Sequence, residues 1–230
     1  GYTVNILSLR SPSVAFFSDP LTFKLAGIAG VLAVLIGALI AGFAYRGKDG
    51  ERYSPLNHFI SELGEEGVSA NAGWFNISLI VSGLCLLLAC ISLGLILPGT
   101  LARIAGVIGA LCALSLALVG LFPLNLYKQH SASALAFFRA GLAMLILFTF
   151  VIVTQPAGTE RISRFYGLAG APAIAAFAYF LALAVQRNKD KKALQAPAEK
   201  TRPRVSRISI AEWAVFLSLV LWFAVLAIAL

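Results

Sequence analysis

Charge is what this chain has least of. Only 12% of its 230 residues are Asp, Glu, Lys or Arg, about half the usual ~25% of a soluble domain. A water-facing surface needs ionised groups spread over it, and this scarcity argues against a soluble globule. Histidine occurs twice, as His58 and His130. The three cysteines, Cys85, Cys90 and Cys112, sit in apolar runs with no CxxC pair and no histidine nearby. That spacing argues against a zinc site or a disulfide framework and fits small buried hydrophobes. No Gly-rich segment leads from a strand pattern into a helix, so no phosphate-cradling loop is encoded. A net charge of +8 could suggest nucleic acid, but much of the positive charge lies in one segment between apolar runs, so no nucleic-acid partner is expected.

What the chain has in abundance is hydrophobic residues, 60% of the total, at a mean hydropathy of +0.89. A bilayer solvates such a composition. Six runs are long enough to cross a hydrocarbon core of roughly 30 Å, which takes about 20 helical residues. They lie near 21–45, 71–97, 101–122, 134–155, 163–185 and 208–230. The fold class is therefore all-α: a polytopic membrane protein, a six-transmembrane-helix bundle in a single domain over 21–230. Residues 1–20, with Pro12 and Pro20, read as an N-terminal arm, and with no small-residue cleavage site after an apolar core they do not read as a signal peptide. Small residues crowd the first, third and fifth runs. Gly27, Gly30, Gly37 and Gly42, and the small-xxx-small pairs Ala105/Gly109 and Gly106/Ala110, permit close helix contact, within the bundle or in self-association. Pro172 is expected to kink the fifth helix.

Six crossings put the first, third and fifth connections on one side. That side holds 13 of the Lys and Arg residues, against five opposite. The positive-inside rule then makes loops 1–2, 3–4 and 5–6 cytoplasmic and leaves both termini outside. The vote rests on loop 5–6, residues 186–207, which carries eight of the 13.

The scarce titratable groups gather in these same connections. The stretch YSPLNHFISELGEEG (53–67) puts Leu56, Phe59, Ile60 and Leu63 at i, i+3, i+4, i+7 and Asn57, His58, Ser61 and Glu62 on the other face. Ser54-Pro55 reads as a helix start and Gly64 as its stop. The segment is expected to be a short amphipathic helix in the membrane interface, between helices 1 and 2. In such a helix His58 reaches Glu62 at i+4 and Ser61 at i+3. A carboxylate beside an imidazole is the start of a general-base pair or half of a metal site; the plainer reading is a polar face meeting water and headgroups. His130 is expected in loop 3–4. Arg139 and Glu212 lie about one turn inside helices 4 and 6. Charges at membrane depth cost ~2.5–3.5 kcal/mol and point inward at a partner, so both are expected to face the interior and to pair with each other, Glu62 or His58, or else to snorkel to the surface. Asn76 is expected to act as polar glue between helices, and Trp74 and Trp213 to sit in an aromatic belt.

The segment SPLNHFISELGEEGVSANAGWFNISL resembles the loop after the first helix in domain-of-unknown-function family 998. It is also similar to the distantly related Frag/DRAM/Sfk six-helix group, whose loop runs roughly ISD-G-PE…F…N. The matching residues here are Ile60, Ser61, Glu62, Gly64, Phe75 and Asn76. His130 followed by Phe137 or Phe138 resembles the group's histidine before helix 4, and Ala211-Glu212-Trp213 its Ser-Glu-Trp at the last helix. The group's proline–glutamate pair is replaced by GEEGVSAN. The resemblance implies a six-helix fold and joins His58, Ser61, Glu62, His130 and Glu212 into one site. It names no reaction; the Frag/DRAM/Sfk group includes proteins tied to lipid remodelling, autophagy and lipid-kinase anchoring.

Two functions from different classes follow. The favoured one is a non-catalytic membrane protein, lipid-interacting or an accessory subunit, with a polar intramembrane site formed by Asn57, His58, Glu62, Asn76, His130, Arg139 and Glu212. Membrane lipids are its expected partners, with a bound lipid and no other cofactor; other subunits or self-association are possible partners. Lys189, Lys191, Lys192, Arg202, Arg204 and Arg207 would meet anionic headgroups at ~1 kcal/mol each near the surface, or else form a solvated topogenic segment. The alternative is a membrane-embedded hydrolase acting on a lipid. Its candidates are Ser61 as nucleophile, His58 or His130 as general base, and Glu62 or Glu212 as orienter. His58, Glu62, His130 and Glu212 are also the only candidates for a metal. A transporter is a weaker third reading, since it wants charges near the midplane.

Overall fold

Each apolar run becomes a helix, because a chain that leaves water has no other way to satisfy its backbone within one segment. The structure, a computed structural model, describes residues 12–156, 158, 160–194 and 202–230, without the side chains at 13 and 188–194. A short helix α1 (Pro12–Phe17) precedes α2 (Pro20–Ala44). A 3-10 helix (Ile60–Gly64) follows, then α3 (Ala72–Ile96), α4 (Thr100–Leu121), α5 (Tyr127–Val153), α6 (Arg164–Gly167), α7 (Gly170–Leu194) and α8 (Arg207–Ala229). No strand occurs among the described residues. Six helical segments are long and apolar enough to cross a membrane: α2, α3, α4, α5, Arg164–Arg187 and α8. The chain is a multi-pass membrane protein.

The ends carry readable signals. Asp19 caps α2, accepting the Leu21 N–H at 2.8 Å, with Pro20 in the first turn. Gly99, at φ +91°, makes the tight turn from α3 to α4, a conformation open to glycine. Ser206 caps α8 by accepting from the Ser209 N–H.

Consecutive spans pack side by side, α2 on α3, α3 on α4, α4 on α5, α5 on α7 and α7 on α8, and α8 returns to α2. The six spans thus close a ring. Its core is aromatic and aliphatic, with Trp222, Phe23, Phe148 and Phe177 fully buried. The outer face is apolar too, with Leu25, Leu32, Ile36 and Leu39 of α2 exposed, as a hydrocarbon solvent requires.

Three expectations need correction, and that for Pro172 does not. Helix α5 begins at Tyr127, seven residues before 134, so His130 lies in its first turn rather than in a loop. Pro172, the third residue of α7, does interrupt the fifth span: Arg164–Arg187 is broken at Leu168 and Ala169 between α6 and α7, where proline lacks the N–H that would bond the Leu168 carbonyl. Helix α7 runs on to Leu194, well past residue 185, into the segment read as loop 5–6. The amphipathic helix between spans 1 and 2 is reduced to the 3-10 turn at 60–64.

Candidate functional site

Why the helix at 54–64 fails is the key to the site. In a continuous helix the Ile60 N–H would donate to the Leu56 carbonyl, and Ser61 to Asn57. Here both carbonyls are taken. Leu56 accepts the Ser206 N–H at 2.7 Å and Asn57 accepts Arg202 at 2.9 Å. The Ile60 N–H turns instead to Glu212 at 2.7 Å, with the Ser61 N–H facing the same carboxylate, and the Phe59 N–H, one residue earlier, donates to Glu62 at 2.8 Å. Partners from α8 and the segment before it outcompete the local ladder. The polar residues therefore divide between two places instead of lining one helical face.

The first place is a central cavity inside the ring, offering about 90 Å³ to the centres of water-sized groups. Its wall is almost wholly apolar, with Val34, Leu79, Phe138, Val215 and Phe223 among its residues. Four polar side chains break it: Ser61, Ser82, His130 and Glu212. Glu212 is buried, and the Ser61 backbone N–H and hydroxyl face its carboxylate as well. His130 is buried, with Nδ1 2.9 Å from the Phe122 carbonyl. A carbonyl only accepts, so Nδ1 carries a proton, and in the neutral form of the ring Nε2 is left as an acceptor. The Ser82 hydroxyl is buried without a partner among the described residues.

The second place lies at the same end of the bundle. Arg202 grips Glu62 with two hydrogen bonds, of 3.0 and 2.7 Å. The hydrogen bonds that Arg202 donates to Glu62 raise its pKa above its ordinary value. His58 sits under Tyr45 and Tyr53, ring centroids 5.3 and 5.1 Å away. Its Nδ1 lies 3.2 Å from the Ser54 backbone, and its Nε2 lies 3.7 Å from Glu51. Burial pushes the Tyr45 hydroxyl up to about 12 and raises that of Tyr53 as well, so both stay neutral hydrogen-bonding groups. Asn125, between α4 and α5, exchanges two hydrogen bonds with the Glu66 backbone at 2.8 and 2.9 Å. The three connections thus meet at one end of the ring.

Residues 28–229 match the family described as Protein of unknown function (DUF998). The chain belongs to the DUF998 family. The match takes in every residue of both places just described. No curated protein and no solved structure matches the chain. The likeness to the Frag/DRAM/Sfk group stands on its sequence motifs alone.

Within this DUF998 chain, Ser61, His130 and Glu212 come together at the cavity, while His58 and Glu62 do not join them. The expected i, i+4 contact of His58 with Glu62 is absent, because the turn at 59 breaks the helix and Glu62 pairs with Arg202. Arg139 is exposed rather than interior and joins no ion pair among the described residues. Because α5 begins at Tyr127, Arg139 is the thirteenth of its 27 residues, well beyond the one turn expected, and its side chain lies on the outer face of the helix. Asn76 donates to the Gly64 carbonyl at 3.1 Å, tying α3 to the 3-10 helix rather than to another span. Among the described residues no three His, Cys, Asp or Glu side chains are arranged to hold a metal. Trp74 is exposed, as a belt residue is, but Trp213 donates from Nε1 to the Tyr53 hydroxyl at 2.9 Å. Arg204 and Arg207 are exposed; the side chains of Lys189, Lys191 and Lys192 lie outside the described residues. Sequence reasoning missed Tyr45, Tyr53 and Asn125. Tyr53 had a signal, two residues from a proline at the start of the polar stretch; Tyr45 and Asn125 had none beyond their closeness to span ends.

Proposed function

We propose that this DUF998 protein binds the apolar chain of a membrane amphiphile in its central cavity, with the polar end against Ser61, His130 and Glu212. The observation that supports it is the cavity itself: an apolar lining inside a transmembrane ring, with a few convergent polar groups, the common form of a ligand site. Nothing in this reading needs turnover. The Lys and Arg count at this end of the ring favours a cytoplasmic location for it, and exposed Arg204 and Arg207 suit anionic headgroups.

Filling the cavity tests the reading. Leu79→Trp adds an indole where the chain would lie. Wild-type protein extracted from membranes should carry bound lipid in native mass spectrometry, and the variant should carry less than a tenth as much while keeping its helical circular dichroism. Equal lipid on both would sink the proposal.

One observation favours a second reading, a hydrolase. Ser61 and a histidine with a free Nε2 share the cavity with a buried carboxylate. In that reading the Ser61 hydroxyl attacks an ester carbonyl, His130 Nε2 takes its proton and returns it to the leaving alcohol as the ester C–O bond breaks, and water then hydrolyses the acyl-serine to release the acid. Steady hydrolysis of a fluorogenic lipid ester by the wild type, lost by at least 100-fold in both Ser61→Ala and His130→Ala, would replace the binding reading with this one.

A further inference from the structure

The central cavity holds a buried carboxylate, Glu212, and none of the described residues lining it is Lys or Arg. Glu212 joins no ion pair among the described residues. Cations at this end of the ring are engaged elsewhere. Arg202 holds Glu62 at 2.7 Å, Lys48 holds Glu65 at 2.8 Å, and the Arg187 guanidinium lies 5.5 Å from the centre of the Phe59 ring. An anionic head entering the cavity would lose its water, meet a carboxylate and find no positive side chain. A buried charge without a partner is among the costliest groups to place.

The hydrogen-bonding groups point the same way. The Ile60 N–H donates to Glu212 at 2.7 Å, and the Ser61 N–H and hydroxyl face the same carboxylate. An ionised carboxylate only accepts, so the Ser61 hydroxyl gives its one proton there and keeps lone pairs for a ligand. His130 gives its Nδ1 proton to the Phe122 carbonyl at 2.9 Å, and in the neutral ring Nε2 accepts. Ser82 adds a hydroxyl and no charge. The polar end of the cavity is thus rich in acceptors and short of donors. An ester, which only accepts, is poorly matched to it. A hydroxyl donates one proton, carries no charge and is matched. An ammonium also donates, but the three donors already on Glu212 leave too few free lone pairs to replace its hydration.

We propose that the ligand of the central cavity is a lipid alcohol, an apolar chain ending in an uncharged hydroxyl that donates to His130 Nε2. The class takes in fatty alcohols and the free hydroxyl of acylglycerols, and it leaves out fatty acids and phospholipids. It rests on the binding function proposed above and names the head that the amphiphile carries.

The full chain in phosphatidylcholine nanodiscs is loaded with hexadecanol, hexadecanoate, hexadecylamine or hexadecane, which share one chain and differ at its end. The buffer is alkaline enough to keep the acid ionised. Native mass spectrometry then counts the lipid that the released protein holds. Hexadecanol should be retained at least tenfold more than hexadecanoate or hexadecylamine. Glu212→Gln removes the charge and keeps an oxygen for the Ile60 N–H; hexadecanoate should gain at least tenfold while hexadecanol changes little. If that variant fails to fold, His130→Phe removes the acceptor and keeps an aromatic ring, and it should lower hexadecanol at least threefold relative to hexadecane. Monoolein identifies the source: retention above hexadecanol assigns an acylglycerol, and the reverse assigns a fatty alcohol. Leu79→Trp separates this proposal from the one beneath it. If that variant holds every lipid as the wild type does, the cavity is not the binding place and the earlier reading fails. If it holds none, while the wild type holds hexadecanoate or hexadecylamine as well as it holds hexadecanol, the cavity stands and the lipid alcohol is overturned.

Discussion

Replacing Gly83 by valine should cost about 3 kcal/mol of stability, at the upper end of overpacking effects, and lower the thermal midpoint in detergent by about 6–12 °C. The reason lies in how α3 meets α4. A Cβ on Gly83 would stand 2.7 Å from both the Ala113 carbonyl oxygen and the Ala117 nitrogen. Those are backbone atoms, so no rotamer change can make room and the helices must part. Further along the same seam Gly94 and Gly106 face each other; a Cβ on either would come within 3.0 Å of the other's Cα. In lipid the separated surfaces gain no hydrophobic penalty, and association rests on close packing, so parting the helices removes what holds them. Gly42→Ala is the control, since nothing stands within 4 Å of its Cβ position. That change should raise the midpoint slightly, by the ~0.5–1 kcal/mol that alanine gains over glycine in a helix. Equal midpoints for wild type and Gly83→Val would show that the seam is not what holds the ring.

The small-residue pattern that makes this seam is visible in the sequence, and so are the six spans, because both are local. Twenty apolar residues in a row read as a span whatever surrounds them, and a glycine row reads as close approach. Which helix receives it is not local: Gly106 faces Gly94 of α3 because α3 and α4 are joined by the short turn at Gly99, whereas Gly37 meets Ser78 of α3. Span boundaries shifted where polar residues continue a helix past the apolar run, as at 127–133 and 186–194.

The candidate site was legible in its parts and not in its arrangement. Chain parity brings three connections to one end, and that much follows from counting spans. The grouping of His58 with Glu62 followed from helical spacing, and it failed at one point. The Leu56 and Asn57 carbonyls are claimed by Ser206 and Arg202, about 145–150 residues away, so the helix could not form. No window of local sequence contains that competition. Ser61, His130 and Glu212 converge because the 3-10 turn aims Ser61 at the start of α8, and because α5 begins early enough to carry His130 in its first turn.

The clasp that enforces this arrangement should be measurable by a double-mutant cycle on Glu62 and Arg202. An exposed ion pair is worth no more than ~1 kcal/mol, whereas breaking one side of a buried pair costs ~3–5. The Glu62 side chain is 10% exposed and that of Arg202 38%, so Arg202→Ala should cost about 2 kcal/mol between those limits. Glu62 does a second thing: its carboxylate accepts the Phe59 N–H at 2.8 Å, a cap worth ~1 kcal/mol. Glu62→Gln keeps an oxygen for the cap and loses the charge, so it should match Arg202→Ala. Glu62→Ala loses both, about 3 kcal/mol, or about 6–12 °C in midpoint. In the Arg202→Ala background, Glu62→Gln should cost almost nothing more, while Glu62→Ala should still cost the cap. Additive losses for Arg202→Ala and Glu62→Gln would mean the two side chains do not act on each other. The turn at Phe59 would then need another cause, and with it the placing of Ser61 at the cavity.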